Sequence, residues 1–243
     1  MIKALAIIIF IQGLAFGRVT DINTPTMKQL EAITKKITWI EQATTRIETD
    51  TKTIYIDPYI IKKNDKADII LITHSHSDHL SPADIAKLVS DKTLFIATAD
   101  CTSTIQQQFN KQTVTLEPGM KLKIGEIQIE AVPAYNIETQ HHPKVNKWVG
   151  YILTIDGIHI YHAGDTGLIP EMKNINCEIA LLPIHRPYSF YTFEDTVQAA
   201  LDCKAQIVIP IHYGYNCGEP QDAVKLKQAL NGKCKVIIKD RSK

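Results

Sequence analysis

Residues 67–80 read ADIILITHSHSDHL, and the change of character half-way along this stretch decides how the chain is laid out. Ala67 to Thr73 is a nearly continuous run of apolar, mostly β-branched residues, the pattern of a strand buried on both faces of its sheet. It ends directly in His74, His76, Asp78 and His79, so that three of the chain's nine histidines crowd into six residues. The following SPADIAKLV places Ser81 at a helix N-cap and Pro82 at the first helical position. A buried strand that opens into a ligand-rich loop and then a helix belongs to the α/β (α+β) class, in which chemistry gathers at strand ends.

Imidazole and carboxylate are the side chains that hold zinc, manganese or iron. In a loop leaving a strand, His74 and His76 alternate and both can turn toward one point. Asp78 and His79 follow a short turn later and can face an adjacent point. One strand end could therefore serve two ions ~3.5–4 Å apart, the separation used by binuclear hydrolases. A His-rich surface loop is the bland alternative, and the H-x-H-x-D-H spacing straight after a buried strand argues against it. Four side chains cannot fill two coordination shells, so further ligands are expected from other strand ends. Asp165, in IYHAGDTG, follows a strand and is flanked by Gly164 and Gly167. Its two oxygens could bridge both ions. His212, in IVIPIHYG, closes another apolar run.

Around these motifs the chain alternates short elements. TPTMKQLEAITKKI reads as an amphipathic helix capped by Thr24 or Thr26 and opened by Pro25. ITWIEQ, TRIET and TIYIDP are short strands, TLFIAT another, and ADCTSTIQQQF a helix. Residues 114–134 form a meander with turns at Pro118-Gly119 and Gly125. WVGYILTIDGIHIYHAGD is a hairpin turning at Asp156-Gly157. EIALLPI and QIVIPIH are buried strands, FEDTVQAALDC and PQDAVKLKQAL helices, and KVIIK a closing strand. The sum is two mixed sheets face to face with helices outside, a four-layer αββα sandwich.

Composition is that of an ordinary globular protein: 243 residues, 44% hydrophobic, 22% charged, net charge +1. That near-neutral balance gives no broad pull toward nucleic acid or anionic membrane. Residues 1–17, MIKALAIIIFIQGLAFG, combine Lys3, an apolar core and small residues at Ala15 and Gly17, the layout of a cleaved signal peptide. The apolar run is shorter than the ~20 residues of a membrane span, so no transmembrane span is expected in the mature chain. A buried strand or an uncleaved anchor is the alternative. The expected organisation is a signal at 1–17, a helical extension at 18–37 and a hydrolase domain at 38–243. The protein is secreted or extracytoplasmic if the signal operates and cytoplasmic otherwise. Five scattered cysteines without a C-x-x-C pair do not decide the compartment.

THSHSDHL, YHAGDTG and IPIHYG, in that order, resemble the metallo-β-lactamase fold hydrolases. The likeness runs from Thr38 to Lys243 and points to the small single-domain metal-dependent hydrolases, relatives of the ascorbate-phosphate lactonases and of the phospholipase D that cleaves N-acylphosphatidylethanolamine. The resemblance implies that His74 and His76 hold a first ion. It implies that Asp78, His79 and His212 hold a second, with Asp165 bridging. It also implies that a metal-bound hydroxide attacks an ester, lactone or phosphodiester bond while Asp78 carries a proton to the leaving group. Asp57 would orient a ligand histidine by accepting its other N–H. One or two zinc ions are expected, with manganese or iron left open. The substrate is expected to be a small or lipid-like molecule and not nucleic acid; oligomeric state stays open.

Two departures from the family pattern stand out. The first ion usually has a third histidine, and here Tyr135-Asn136 occupy that place, leaving Asn136 as a candidate substrate contact. His141 and His142 follow, and His142, held by Pro143, is the preferred replacement. The second departure is LLPIHRPYSF, where Arg186 could bind an anionic substrate group and His185 could be an acid, base or ligand. A metal-binding scaffold without turnover, or less favourably a nuclease, is the alternative function.

Overall fold

The computed structural model describes residues 24–137, 139–184, 192–214 and 218–241. Six strands make the first sheet in the order β1 (Ile37–Glu41), β2 (Thr44–Glu48), β3 (Thr53–Ile56), β4 (Ile69–Ile72), β5 (Leu94–Ala97) and β6 (Thr113–Thr115). β1 to β3 pair antiparallel as a meander, whereas β3 to β6 run parallel. The second sheet joins β7 (Lys121–Ile124), β8 (Ile127–Pro133), β9 (Val149–Ile155), β10 (Ile158–His162), β11 (Ile179–Pro183), β12 (Ile207–Ile211) and β13 (Lys235–Val236). Here β7 to β10 are antiparallel and β10 to β13 parallel.

Parallel neighbours need crossovers; α-helices supply those after β4, β5, β11 and β12, while a loop joins β3 to β4 and a 3₁₀ turn lies between β10 and β11. α1 (Met27–Lys35) precedes the first sheet, α2 (Pro82–Leu88) and α3 (Thr102–Phe109) cover that sheet, and α4 (Phe193–Asp202) and α5 (Pro220–Ala229) belong to the second. The apolar run of β4 explains itself in this setting. Ile69 and Leu71 join the large core between the sheets, while Ile70 and Ile72 join a smaller core with Ile85 and Leu88 of α2 and Ile105 of α3. All four strand residues are buried because both faces are covered. The architecture is the αββα sandwich of the metallo-β-lactamase fold.

Some local expectations shift. Thr26, not Thr24, caps α1 through a capping box with Gln29, and Pro25 lies one residue before the cap instead of opening the helix. Ser81 occupies the cap position of α2, but its hydroxyl donates to Asp84 Oδ2 rather than receiving a backbone N–H. Residues 99–101 form a 3₁₀ turn ahead of α3. KVIIK shrinks to a two-residue strand, because β13 finds partners only at Ile207 and Val208.

The two sheets meet closely where β4 and β10 end. Tyr151 of β9 donates its hydroxyl hydrogen to the Ile72 carbonyl at 2.8 Å across the core. Gly164 has φ +61°, and a Cβ there would lie 3.0 Å from the Val149 carbonyl and 3.1 Å from Thr73 Cβ. Only glycine takes that conformation in that space without cost.

Candidate metal centre

The site is built on the residue that ends β4. Thr73 donates its backbone N–H to Asp57 Oδ1 at 2.8 Å and its hydroxyl to Asp57 Oδ2 at 2.7 Å. Asp57, fully buried with φ +49°, leaves β3 at the same level. Its Oδ2 also accepts from His79 Nδ1 at 2.8 Å. Because the single hydroxyl hydrogen of Thr73 goes to Asp57, its oxygen accepts from His74 Nδ1 at 2.9 Å. The network thus assigns the proton to Nδ1 in both rings and leaves both Nε2 atoms as acceptors. A tight turn, with His79 and Leu80 N–H on the His76 carbonyl, brings His76, Asp78 and His79 round together.

The third histidine arrives from the loop between β8 and β9. Asn136 N–H binds the His142 carbonyl at 2.8 Å and Asn136 Nδ2 binds that of His141 at 3.2 Å, closing the loop into a hook. His142, at φ +56°, is turned inward and buried, while His141 is exposed. His142 Nδ1 contacts the Asp165 carbonyl at 3.2 Å. The rings of His74, His76 and His142 stand 4.7, 4.8 and 4.8 Å apart. Of the two neighbouring histidines, the fold brings His142 to the site. Asn136 is buried in shaping that loop.

Asp165 lies between the two halves. Its Oδ2 is 3.4 Å from His79 Nε2 and 4.0 Å from His142 Nε2, and its Oδ1 is 3.4 Å from His212 Nε2. Asp78 Oδ2 stands 3.8 Å from His79 Nε2 and 3.7 Å from His212 Nε2. Donor atoms fall into three overlapping groups, each within 4.8 Å: His74–His76–His142, His74–His79–Asp165 and Asp78–His79–His212. His162, in the same motif as Asp165, is instead a satisfied structural histidine, bonded to the Ala43 carbonyl and the Gly164 N–H. His185 and Arg186 lie outside the described residues.

The electrostatics fit a cation. His74 Nε2, His79 Nε2 and Asp165 Oδ1 are buried side-chain atoms with no hydrogen bond, a costly state for polar atoms unless something else satisfies them. Burial pushes His74 well down, with His79 adding to the effect, and burial takes His142 down to about 4. Both therefore stand neutral, as ligands must. Burial also opposes charge on His79, but Asp165 and Asp57 outweigh it and raise His79 well above its ordinary value. Burial opposes ionisation of Asp165 and Asp78 too. His212 and His79 nevertheless hold Asp165 well below the usual carboxylate range and Asp78 at about 2. Three participants carry no sequence signal of their own: Thr73, Asp100 and Trp148, the last a neighbour of all three histidines of one group. Thr73 was legible only as the residue before His74.

A family model described as a beta-lactamase superfamily domain matches residues 36–212. The chain belongs to that superfamily. A UPF0173 metal-dependent hydrolase of Pyrococcus furiosus is 31% identical over 219 residues, covering 84% of this chain and 95% of that one. Another, of Geobacillus sp. strain WCH70, is 33% identical over 195 residues, covering 73% and 85%. Among solved structures, a candidate metal-dependent hydrolase from Parabacteroides distasonis superposes with TM-score 0.73 at 35% identity, over 85% of this chain and 93% of that one. Igni18, a metallo hydrolase of Ignicoccus hospitalis, does so with TM-score 0.70 at 25% identity, over 85% and 95%. The chain thus belongs to the metal-dependent hydrolases of the metallo-β-lactamase superfamily.

Proposed function

We propose that the protein cleaves an ester, lactone or phosphodiester bond of a small or lipid-like molecule at a two-ion centre. In this reading His74, His76 and His142 hold one ion, Asp78, His79 and His212 hold the other, and Asp165 bridges. The observation that carries it is the convergence of the buried Nε2 atoms of His74 and His79, neither hydrogen-bonded, on the Asp165 carboxylate, with His142 and His212 beside them. Nitrogen-rich donor sets with one or two carboxylates suit zinc first, with iron and manganese as neighbours in preference. A bound ion of this kind acidifies coordinated water toward pKa ~7 and polarises the bond to be cut.

The chain's own groups do the rest. Asp57 and Thr73 fix the ring planes of His79 and His74. His76 is exposed and the Asp78 side chain is a third open, so substrate approaches from their side. Asp78, ionised and facing that opening, is placed to take a proton from attacking water and pass it to the leaving oxygen. The binding-only alternative drew on a missing third histidine, and His142 beside His74 and His76 weakens that ground. Net charge +1 speaks against a nuclease. Secretion through residues 1–17 remains part of this reading; N-terminal sequencing of exported protein beginning near residue 18 would support it. Among the described residues no helix is long and apolar enough to cross a membrane.

Elemental analysis of protein purified without added metal, paired with bis-p-nitrophenyl phosphate, lactones and nitrocefin, tests the proposal. Two ions per chain, one in His142→Ala, and chelator-sensitive turnover are expected. A metal-loaded protein that turns over none of these classes would overturn the hydrolytic assignment to ester, lactone or phosphodiester.

A further inference from the structure

Trp148 stands at an unusual position. It is 7% exposed, yet it belongs to neither hydrophobic core. Its ring neighbours are imidazoles: the indole centroid lies 4.8 Å from His74, 4.8 Å from His76 and 4.8 Å from His142. With the three rings 4.7 to 4.8 Å from one another, the four form a closed cluster with the indole capping one side. The indole N–H donates to Asp100 Oδ2 at 2.8 Å. Asp100 Oδ1 accepts from the Thr98 hydroxyl at 2.6 Å, one residue beyond the end of β5.

We propose that Trp148 and Asp100 are positioning residues that set the geometry of the His74–His76–His142 ion site, an inference that rests on those histidines being ligands. The physical need is specific. His74 and His76 come from one loop and His142 from the β8–β9 loop, which is tied to the Asp165 segment by Tyr135 N–H on the Thr166 hydroxyl, by Gly167 N–H on the Tyr135 carbonyl and by His142 Nδ1 at the Asp165 carbonyl. Among the described residues, the His76 ring has no hydrogen-bond partner like those that hold His74 and His79, and the residue is exposed. A flat rigid ring touching all three restricts ring tilt in both loops at once. Asp100 ties that ring to Thr98 at the end of β5, the strand paired with β4 whose end carries His74 and His76, so the indole is anchored to the same sheet edge as those ligands. A smaller side chain would leave a gap, and His76 and His142 would sample orientations that do not converge.

Outer partners of metal ligands typically change affinity 10–100-fold when removed. The test compares Trp148→Leu, Trp148→Phe and Asp100→Asn with His142→Ala. Competition titration with a chromophoric chelator and the visible absorption of the cobalt(II)-substituted protein are the readouts, with thermal unfolding of each apo-protein beside them. Trp148→Leu is expected to weaken one of the two ions 10–100-fold and alter the cobalt band, leaving the other ion at wild-type affinity. Trp148→Phe should recover part of the loss, and Asp100→Asn should fall between. Should Trp148→Leu fold poorly, the Phe and Asn variants carry the decision. Wild-type affinity and an unchanged cobalt band in these variants, while His142→Ala loses an ion, overturns the positioning role alone. An unchanged stoichiometry in His142→Ala overturns the ligand reading and this inference with it.

Discussion

At the scale of single residues, Asp57 has the clearest assignment. It is fully buried and accepts three hydrogen bonds, from Thr73 N–H, Thr73 hydroxyl and His79 Nδ1. Asn in its place would turn an NH₂ toward a donor. The His79 ring would then favour the tautomer with hydrogen on Nε2, aimed at the ion. Asp57→Asn is expected to lower the affinity of the ion at Asp78–His79–His212 by 10–100-fold, read by competition titration. It should spare the ion at the three histidines.

A second residue concerns stability away from the centre. Asp84 accepts from Ile60 and Ile61 N–H at 3.0 and 2.9 Å, pairs with Lys87 at 2.9 Å, and holds Ile60 at φ +54°. Burial opposes its charge, but Lys87, the Ser81 hydroxyl and the two amides outweigh it and lower its pKa. A depressed carboxylate contributes stability above about pH 4 that is lost as pH falls through the folded value. Asp84→Ala should cost ~1–3 kcal/mol in denaturant unfolding at pH 7, since two amides lose their acceptor. The gap to wild type should stay level down to about pH 5 and narrow as pH falls below about 4, where the unfolded carboxyl takes up its proton first. A gap that persists unchanged at pH 3 would count against the charged form as its source.

At the scale of elements, the decisive contact is between the ends of β4 and β10. Gly164 lets the chain pass 3.0 Å from the Val149 carbonyl and delivers Asp165 to the histidines. Gly164→Ala imposes a left-handed conformation on a Cβ, ~1–2 kcal/mol by itself, and forces Thr73 or β9 to shift. We expect a fall in melting temperature together with loss of metal affinity at both proposed ion sites, since Asp165 stands between the two donor groups. Full affinity with lowered stability would show that the loop recentres on its own. Legibility follows the same scale. The strands were readable because burial on one face or two writes a local pattern, as in the alternation of β8 and the unbroken run of β4. The choice of Thr26 over Thr24, the curtailed β13 and the turn before α3 were not readable, because each depends on which neighbour lies within reach.

At the scale of the whole molecule, the centre joins loops from both sheets. The cation would be a cross-link among segments from residue 74 to residue 212, each of them buried or half-buried apart from His76. An ion that binds only the folded chain stabilises it by about 2.7 kcal/mol when free metal is a hundred times Kd. Chelation should therefore lower the melting temperature, and zinc should restore it; a transition indifferent to chelator and zinc alike would contradict a centre that spans the sheets.

The fold class and the six side chains His74, His76, Asp78, His79, Asp165 and His212, which the folded chain gathers, were legible in the sequence alone. Ligand-type residues at the ends of apolar strands form a pattern within short reach of the backbone, and sheet layering brings strand ends together. The sequence left His141 and His142 open, and it was silent on Thr73, Asp100 and Trp148. Only the tertiary structure decided those. A residue's orientation in a loop depends on what packs on the loop, and here the Asn136 hook turned His142 inward while Trp148, further along the same loop, closed over the three rings.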